Sequence, residues 1–171
     1  MTIRRLGYAL AAAVMMLALA ACAGKDKDLQ PTETKAQAAQ RVEELVQEAF
    51  KQLPSGATLK VSTDEDSVPC DDPTDGGPAG RIFAEKAYDI VPPATGTWPS
   101  NEIIPTLVTF WQQKGYKTRT DDRSKQEPRY SVETSDGYIV LVQSWNRGDH
   151  LDYGLSADSP CIWENGTPDP Q

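Results

Sequence analysis

The three cysteines constrain the fold of this chain more than any other feature of its sequence. Cys22 follows Ala21, which comes directly after an apolar run over residues 6–20, and two arginines precede this run. A positive start, about 15 apolar residues and small residues before a cleavage point are typical of an export signal, whereas a membrane-spanning helix needs about 20 apolar residues. Cys70 and Cys161 therefore remain as an even pair in a chain that we expect to be exported.

An even pair of cysteines in an exported chain predicts a disulfide between Cys70 and Cys161. This bond would close a loop of about 90 residues, and the chain-entropy model gives about 4–5 kcal/mol for such a loop. The alternatives are a metal-binding pair or a reactive thiol. Both are disfavoured, because neither cysteine has a histidine or another cysteine near it in the sequence. We therefore expect no metal site and no cofactor.

The segment Leu19-Ala20-Ala21-Cys22 resembles the bacterial lipobox. This resemblance implies that the sulfur of Cys22 carries a diacylglyceryl group and that cleavage leaves Cys22 as the first residue. The alternative is a buried cysteine in an ordinary apolar helix. Two or more acyl chains hold a protein stably on a membrane, so we expect anchoring on the extracytoplasmic side of the cell membrane. The expected organisation is a signal peptide at 1–21, lipidated Cys22 with a polar tether at 22–34, one α+β domain at 35–165 and a flexible tail at 166–171.

The charge of the chain is acidic, with 17 lysines and arginines against 25 aspartates and glutamates. Removal of the expected signal takes away two arginines and no acidic residue, which leaves a net charge of about −10. Nucleic-acid binding needs a basic surface, so nucleic acid is excluded as an expected partner. We expect a monomer that is held to the membrane only by its N-terminal lipid.

Apolar spacing predicts two helices. In the first, Thr34 and Gln37 fit a capping box and Pro54 follows the end. The second begins near Ser100 or Asn101, either of which could cap it, and it stops before Gly115. The first helix has its apolar face at Ala38, Val42, Leu45, Val46, Ala49, Phe50 and Leu53, and the second at Ile104, Leu107, Val108 and Trp111.

Alternating apolar residues and turn signals predict the strands. The predicted strands are 57–63, 81–91, 116–120, 129–134, 138–145 and 151–157. With short connections between most strands, the expected fold class is α+β. Two helices would pack on one face of a mostly antiparallel sheet of about five or six strands, in the order α-β-β-α-β-β-β-β.

Three segments carry a resemblance to a family: "PCDDPTDGGP" (69–78), "KGYKT" (114–118) and "SPCIWENG" (159–166). With these segments the chain resembles small actinobacterial surface lipoproteins of unassigned function, the mycobacterial LppA-like proteins. The resemblance implies an N-terminal helix, a cysteine after the first strand and a second cysteine near the C-terminus. It implies no catalytic chemistry.

Two polar motifs are candidates for chemistry. In "CDDPTDGG", Asp75 and Gly76 fit a calcium loop counted from Asp71, but Pro73 and Ile82 fall where ligands should be. A turn-rich loop is the simpler interpretation. The sole histidine, His150, lies in "NRGDHLDY" without a recognisable nucleophile motif, and the Arg-Gly-Asp within it is ordinary turn chemistry. We therefore predict no catalytic residue.

The aromatic residues give the best sequence indication of a binding surface. If 138–145 is a central strand, one of its two side-chain sets meets the helices and the other is partly open. We predict an apolar patch on the open face to which Tyr138 or its neighbours contribute, with Trp145 at its end. Trp98 is a further candidate for this surface.

Two functions of different class follow. The first is a non-catalytic envelope lipoprotein that binds a protein, wall polymer or lipid, or has a structural role. The second is an anchored hydrolase that acts on wall or lipid, for which Asp71 and Asp75 could in principle serve as acid and base. The absence of a nucleophile–base set in the sequence favours the first.

Overall fold

Seven strands form one antiparallel sheet in the computed structural model, which describes residues 31–70 and 80–168. Two helices and a 3-10 turn at Ser100–Glu102 accompany the sheet within these residues. The elements are α1 (Lys35–Phe50), β1 (Thr58–Pro69), β2 (Arg81–Val91), α2 (Ile103–Gln113), β3 (Lys117–Asp121), β4 (Arg129–Glu133), β5 (Ile139–Asn146), β6 (Leu151–Asp158) and β7 (Ile162–Trp163). The strand order is β1-β2-β6-β5-β4-β3, and β7 pairs with β2 beyond the end of β6.

Both helix starts can be traced to local chemistry. Thr34 and Gln37 form the predicted capping box: the Gln37 backbone N–H donates to the Thr34 hydroxyl, and the Thr34 backbone N–H donates to Gln37 Oε1. The predicted cap of α2 is wrong, because Ser100 and Asn101 lie in the 3-10 turn and Glu102 precedes the helix without a side-chain cap. In this turn the backbone N–H of Glu102 donates to the Pro99 carbonyl and that of Ile103 donates to the Ser100 carbonyl, so these two groups need no side-chain cap.

The core lies between the helices and one face of the sheet, which we call the inner face. Tyr130, Val142, Leu155 and Tyr88 lie directly opposite one another on β4, β5, β6 and β2, so they share this face. The Trp111 ring of α2 stacks on Tyr130 with ring centroids 6.2 Å apart, and the Tyr88 hydroxyl donates to Glu43 of α1. Both helices therefore cover the inner face, and the opposite face, the outer face, receives neither.

The predicted fold class is wrong, because it gives the helices too large a share of the fold and the sheet too few strands. The described chain is dominated by a seven-stranded sheet with two short helices, not by two helices packed on five or six strands. β1 continues to Pro69, past its predicted end at Thr63, because the acidic run that follows still pairs with β2 across two register shifts. β7 is two residues long, which is too short for an alternating pattern to predict.

The ends of the domain are joined more closely than the predicted boundaries suggest. Thr32, assigned to the tether, donates its backbone N–H to Gly166, and its hydroxyl accepts the backbone N–H of Trp163. Gly166, assigned to the flexible tail, is buried against Thr32 and Thr34. The packed body therefore extends outside 35–165 on both sides.

The predicted disulfide between Cys70 and Cys161 is confirmed. Their Cα atoms lie 5.9 Å apart, within the range of bridged cysteines. Cys70 follows β1 and donates its backbone N–H to Arg81 of β2, while Cys161 precedes β7. The bond thus fastens the edge strand β1 to the last strand of the chain.

Candidate binding surface

The central strand β5 presents two different faces. Tyr138, just before the strand, and Val140 and Val142 within it are at most 1% exposed, because they point into the core under the helices. Ile139 and Leu141 alternate with them on the outer face and are half-buried. The more open of the two faces is therefore the outer face, which carries Ile139 and Leu141.

Tyr138 does not belong to this open face, which corrects its place in the predicted binding surface. Its ring is buried, and its hydroxyl donates to the Glu33 carboxylate. Burial raises the pKa of the Tyr138 hydroxyl, and the hydrogen bond to Glu33 raises it further. Tyr138 therefore closes the core beneath the N-terminal segment.

Trp98 also has a packing role. Its half-buried ring contacts the hydrophobic core, and its indole N–H donates to the Pro54 carbonyl after α1, with an N–O distance of 3.1 Å. This contact fixes the segment before α2 against the end of α1. The prediction of Trp98 as a binding residue is not supported by this position.

Trp145 lies on the outer face, at the end of β5. The six-membered end of its indole covers Gly154 on the neighbouring strand β6, and a Cβ atom at Gly154 would lie 2.7 Å from Cη2 of the ring. Glycine is needed at this point because any side chain would displace the ring. Within the described residues, the indole N–H of Trp145 has no hydrogen-bond acceptor, in contrast to that of Trp98.

Two grooves adjoin the Trp145 ring. The larger groove, about 800 Å³, lies between the β3–β4 loop and the end of β5. Besides Trp145, it is lined by Asp122, Lys125, Gln126, Glu127, Arg129, Gln143, Ser144, Asn146 and Gly148. The smaller groove, about 320 Å³, shares Trp145 and is lined by residues of β1, β2 and β6 together with Arg147. Trp145 is thus the residue common to both concavities.

The charges at the larger groove are largely paired with one another. Asp122 accepts from Lys125 at 2.8 Å and from Arg129 at 2.7 Å. These two cations, of which Lys125 has the larger effect, hold the pKa of the Asp122 carboxyl below its usual range. Glu127 accepts the backbone N–H of Asn146 at 3.2 Å. The lining therefore offers polar groups with little net charge.

A pair of carboxylates lies elsewhere on the outer face. Glu85 of β2 is directly opposite Asp158 of β6. Burial raises the pKa of the Asp158 carboxyl to about 6, and the neighbouring Glu85 charge adds to the shift. Like charges opposite each other in a sheet are destabilising. On the other neighbouring strand, β5, the residue opposite Asp158 is Ile139, which supplies no counter-charge.

The remaining sequence motifs lie in the exposed β5–β6 turn or outside the described residues. His150 is exposed in the β5–β6 turn, where Nδ1 lies 2.7 Å from Asp149 and Nε2 lies 3.4 Å from Asp152. Arg147 pairs with Asp152 at 2.6 Å, so the Arg-Gly-Asp segment is part of an ion-paired turn. Cys22, the signal and most of the tether, together with Asp71, Asp75 and the rest of 71–79, lie outside the described residues.

Residues 31–70 and 80–168 contain neither a metal-binding cluster nor a membrane-spanning helix. No group of three or more His, Cys, Asp or Glu side chains in that part of the chain could hold a metal ion. None of the helices in residues 31–70 and 80–168 is long and apolar enough to cross a membrane.

The sequence reasoning missed Gly154 and the amides of the larger groove. A glycine inside an apolar strand was the available signal for Gly154, because it marks a close approach of another group. Gln143 has the same parity as Trp145 on β5, so the alternating pattern could also have placed it on the outer face. Gln126 lies in the β3–β4 loop, for which no periodic pattern exists.

Comparison of the chain with protein-family models, with curated proteins and with solved structures found no match.

Proposed function

We propose that this protein is a non-catalytic binding module, held at the outer side of the cell membrane by a lipidated Cys22, and that the outer face around Trp145 receives an envelope partner. The observation that carries this proposal is that, within residues 31–70 and 80–168, neither helix covers the outer face of the sheet. Both helices pack on the inner face, and the outer face keeps half-buried Ile139, Leu141 and Trp145 beside two grooves. Grooves that combine an aromatic ring with polar side chains are typical of ligand sites on domains.

The length of chain before the domain is compatible with display near a membrane. The described body begins at Pro31, about nine residues after Cys22. A segment of that length spans at most about 30 Å when fully extended. A partner that reaches the outer face must therefore lie close to the membrane, as envelope components do. The resemblance to small actinobacterial lipoproteins supports the same placement.

Site-specific crosslinking in living cells tests the proposal. A photo-crosslinking amino acid is placed at Gln143, on the outer face, or at Gln112, an exposed position on α2, in the full-length chain. We expect an adduct from position 143 and none from position 112. The adduct should be lost when Cys22→Ser releases the chain from the membrane. Equal adducts from both positions, or an adduct from position 112 alone, would contradict the proposal.

A further inference from the structure

We propose that the larger groove binds a segment of a neutral carbohydrate chain, with Trp145 as the apolar platform. This inference rests on the proposed binding function and names the chemical class of its ligand. It follows from three properties of the groove: its charge balance, its carboxamides and the position of the indole.

The charge balance favours an uncharged ligand. The lining carries two carboxylates, Asp122 and Glu127, and two cations, Lys125 and Arg129, on a chain whose net charge is −8. Asp122 already binds both cations. An anionic ligand would have to compete with Asp122 for them, and a cationic ligand would have to draw Asp122 away from both. A neutral ligand leaves these ion pairs intact.

Three carboxamides supply hydrogen bonds without charge. They belong to Gln126, Gln143 and Asn146. Asn146 Oδ1 accepts the Gly148 backbone N–H at 2.7 Å, which orients the amide and leaves its N–H₂ group as a donor. Within the described residues, the side chains of Gln126 and Gln143 make no hydrogen bond to the protein, so both can bind a ligand. A carboxamide both donates and accepts, which matches a hydroxyl group that does the same.

The indole supplies the apolar part of the site. The ring of Trp145 is held in place by its contact with Gly154, and its N–H has no acceptor in the described part of the chain. A pyranose ring has a face of C–H groups and a rim of hydroxyls. The ring of Trp145 can contact the C–H face of the sugar, while its N–H and the carboxamides bind the hydroxyl groups.

The dimensions fit a segment of a chain rather than a single sugar. A groove of about 800 Å³ is within the range of sites that hold drug-sized molecules, which corresponds to about two or three pyranose rings. The smaller groove continues on the other side of Trp145. A polysaccharide could therefore cross the indole from one groove to the other. A peptide ligand is less well matched, since the larger groove has no apolar pocket for side chains other than the indole surface.

Binding of soluble oligosaccharides tests the inference. Cellohexaose, maltohexaose and N-acetylchitohexaose serve as neutral probes and hexagalacturonate as the anionic comparison. The full-length chain in detergent is titrated by calorimetry. We expect saturable binding of at least one neutral hexasaccharide, weakened about tenfold or more by Trp145→Ala and about threefold or more by Gln143→Ala. Gln112→Ala is the matched control and should bind as the unaltered chain does.

The outcomes separate this inference from the proposed function. Lack of binding by all three neutral probes, preference for the anionic probe, or binding unaffected by Trp145→Ala would overturn it. Trp145→Phe keeps an aromatic ring and should retain intermediate affinity, which guards against a folding defect in the alanine variant. If crosslinking from position 143 yields a protein adduct while the neutral probes fail to bind, the carbohydrate inference fails and the binding module stands.

Discussion

The contact between Trp145 and Gly154 decides the shape of the outer face. Gly154→Ala would place a methyl group within 3 Å of the ring, so either the indole or the strand must move. We expect a loss of about 1–3 kcal/mol in the free energy of unfolding, because overpacking carries such a cost. Urea denaturation measures it. In the Trp145→Ala background the same change should cost much less, since the ring that it meets is gone. Equal costs in both backgrounds would contradict the contact.

Asp158 should lower stability at neutral pH. Its folded-state pKa of about 6 lies above the value of about 3.9 for an unfolded chain, so the folded state binds more protons between these values. The free energy of unfolding contributed by this group therefore rises as pH falls from 7 toward 4. Asp158→Asn should stabilise the domain by about 1–2 kcal/mol at pH 7.5, after allowance for partial exposure, and have little effect near pH 4.

Urea denaturation at both pH values checks this prediction. Glu85→Gln removes the opposing charge and should reduce the benefit of a later Asp158→Asn change. A variant that is destabilised at pH 7.5, or that gains equally at both pH values, would show that Asp158 is not held in a costly ionised state.

The residues that sequence reasoning placed well were those with a local signal. Thr34 and Gln37 were predicted from their spacing, and Cys70 and Cys161 from their number. The role of Tyr138 was wrong, because alternation shows that two side-chain sets exist but not which set the helices cover. That choice depends on long-range packing, which a strand pattern does not contain.

At the scale of elements, the disulfide holds the edge strand β1 to β7. The two cysteines are separated by 91 residues, and a loop of that size corresponds to about 4–5 kcal/mol in the chain-entropy model. The double variant Cys70→Ala, Cys161→Ala should lose a large part of that value, measured by urea denaturation. Reductant should lower the stability of the unaltered chain to the same level and leave the double variant unchanged. Insensitivity of the unaltered chain to reductant would contradict the prediction.

The elements also show why the sheet was underestimated. β1 runs through Asp64, Glu65 and Asp66, residues that rarely favour strands. Pairing with β2 overrides that preference, and Lys86 of β2 contacts both Asp64 and Glu43 of α1. Such support comes from a partner strand and a helix that are distant in sequence, so composition alone predicts a loop there.

At the scale of the whole molecule, the proposed function depends on lipid attachment at Cys22. Cys22→Ser should prevent lipidation, so the chain should be released from the membrane or remain uncleaved. Fractionation of cells followed by intact-mass measurement of the protein checks both results. Ser55→Ala, a change in the exposed turn after α1, is a control that should stay with the membrane. A Cys22→Ser chain that differs in mass from the unaltered mature chain only by the substitution itself, and that stays with the membrane, would contradict the lipobox interpretation.

Hydroxyl-radical footprinting of Trp145 and Trp98 tests most directly the proposal that the outer face meets a partner in the envelope. Both rings are half-buried in the chain, but they lie in different surroundings: Trp145 on the outer face and Trp98 beside the end of α1. Oxidation of each is compared between intact cells and the purified full-length chain. We predict that Trp145 is oxidised more slowly in cells than in the purified chain, while the rate for Trp98 is the same in both. Equal ratios for the two rings, or protection of Trp98 alone, would contradict it.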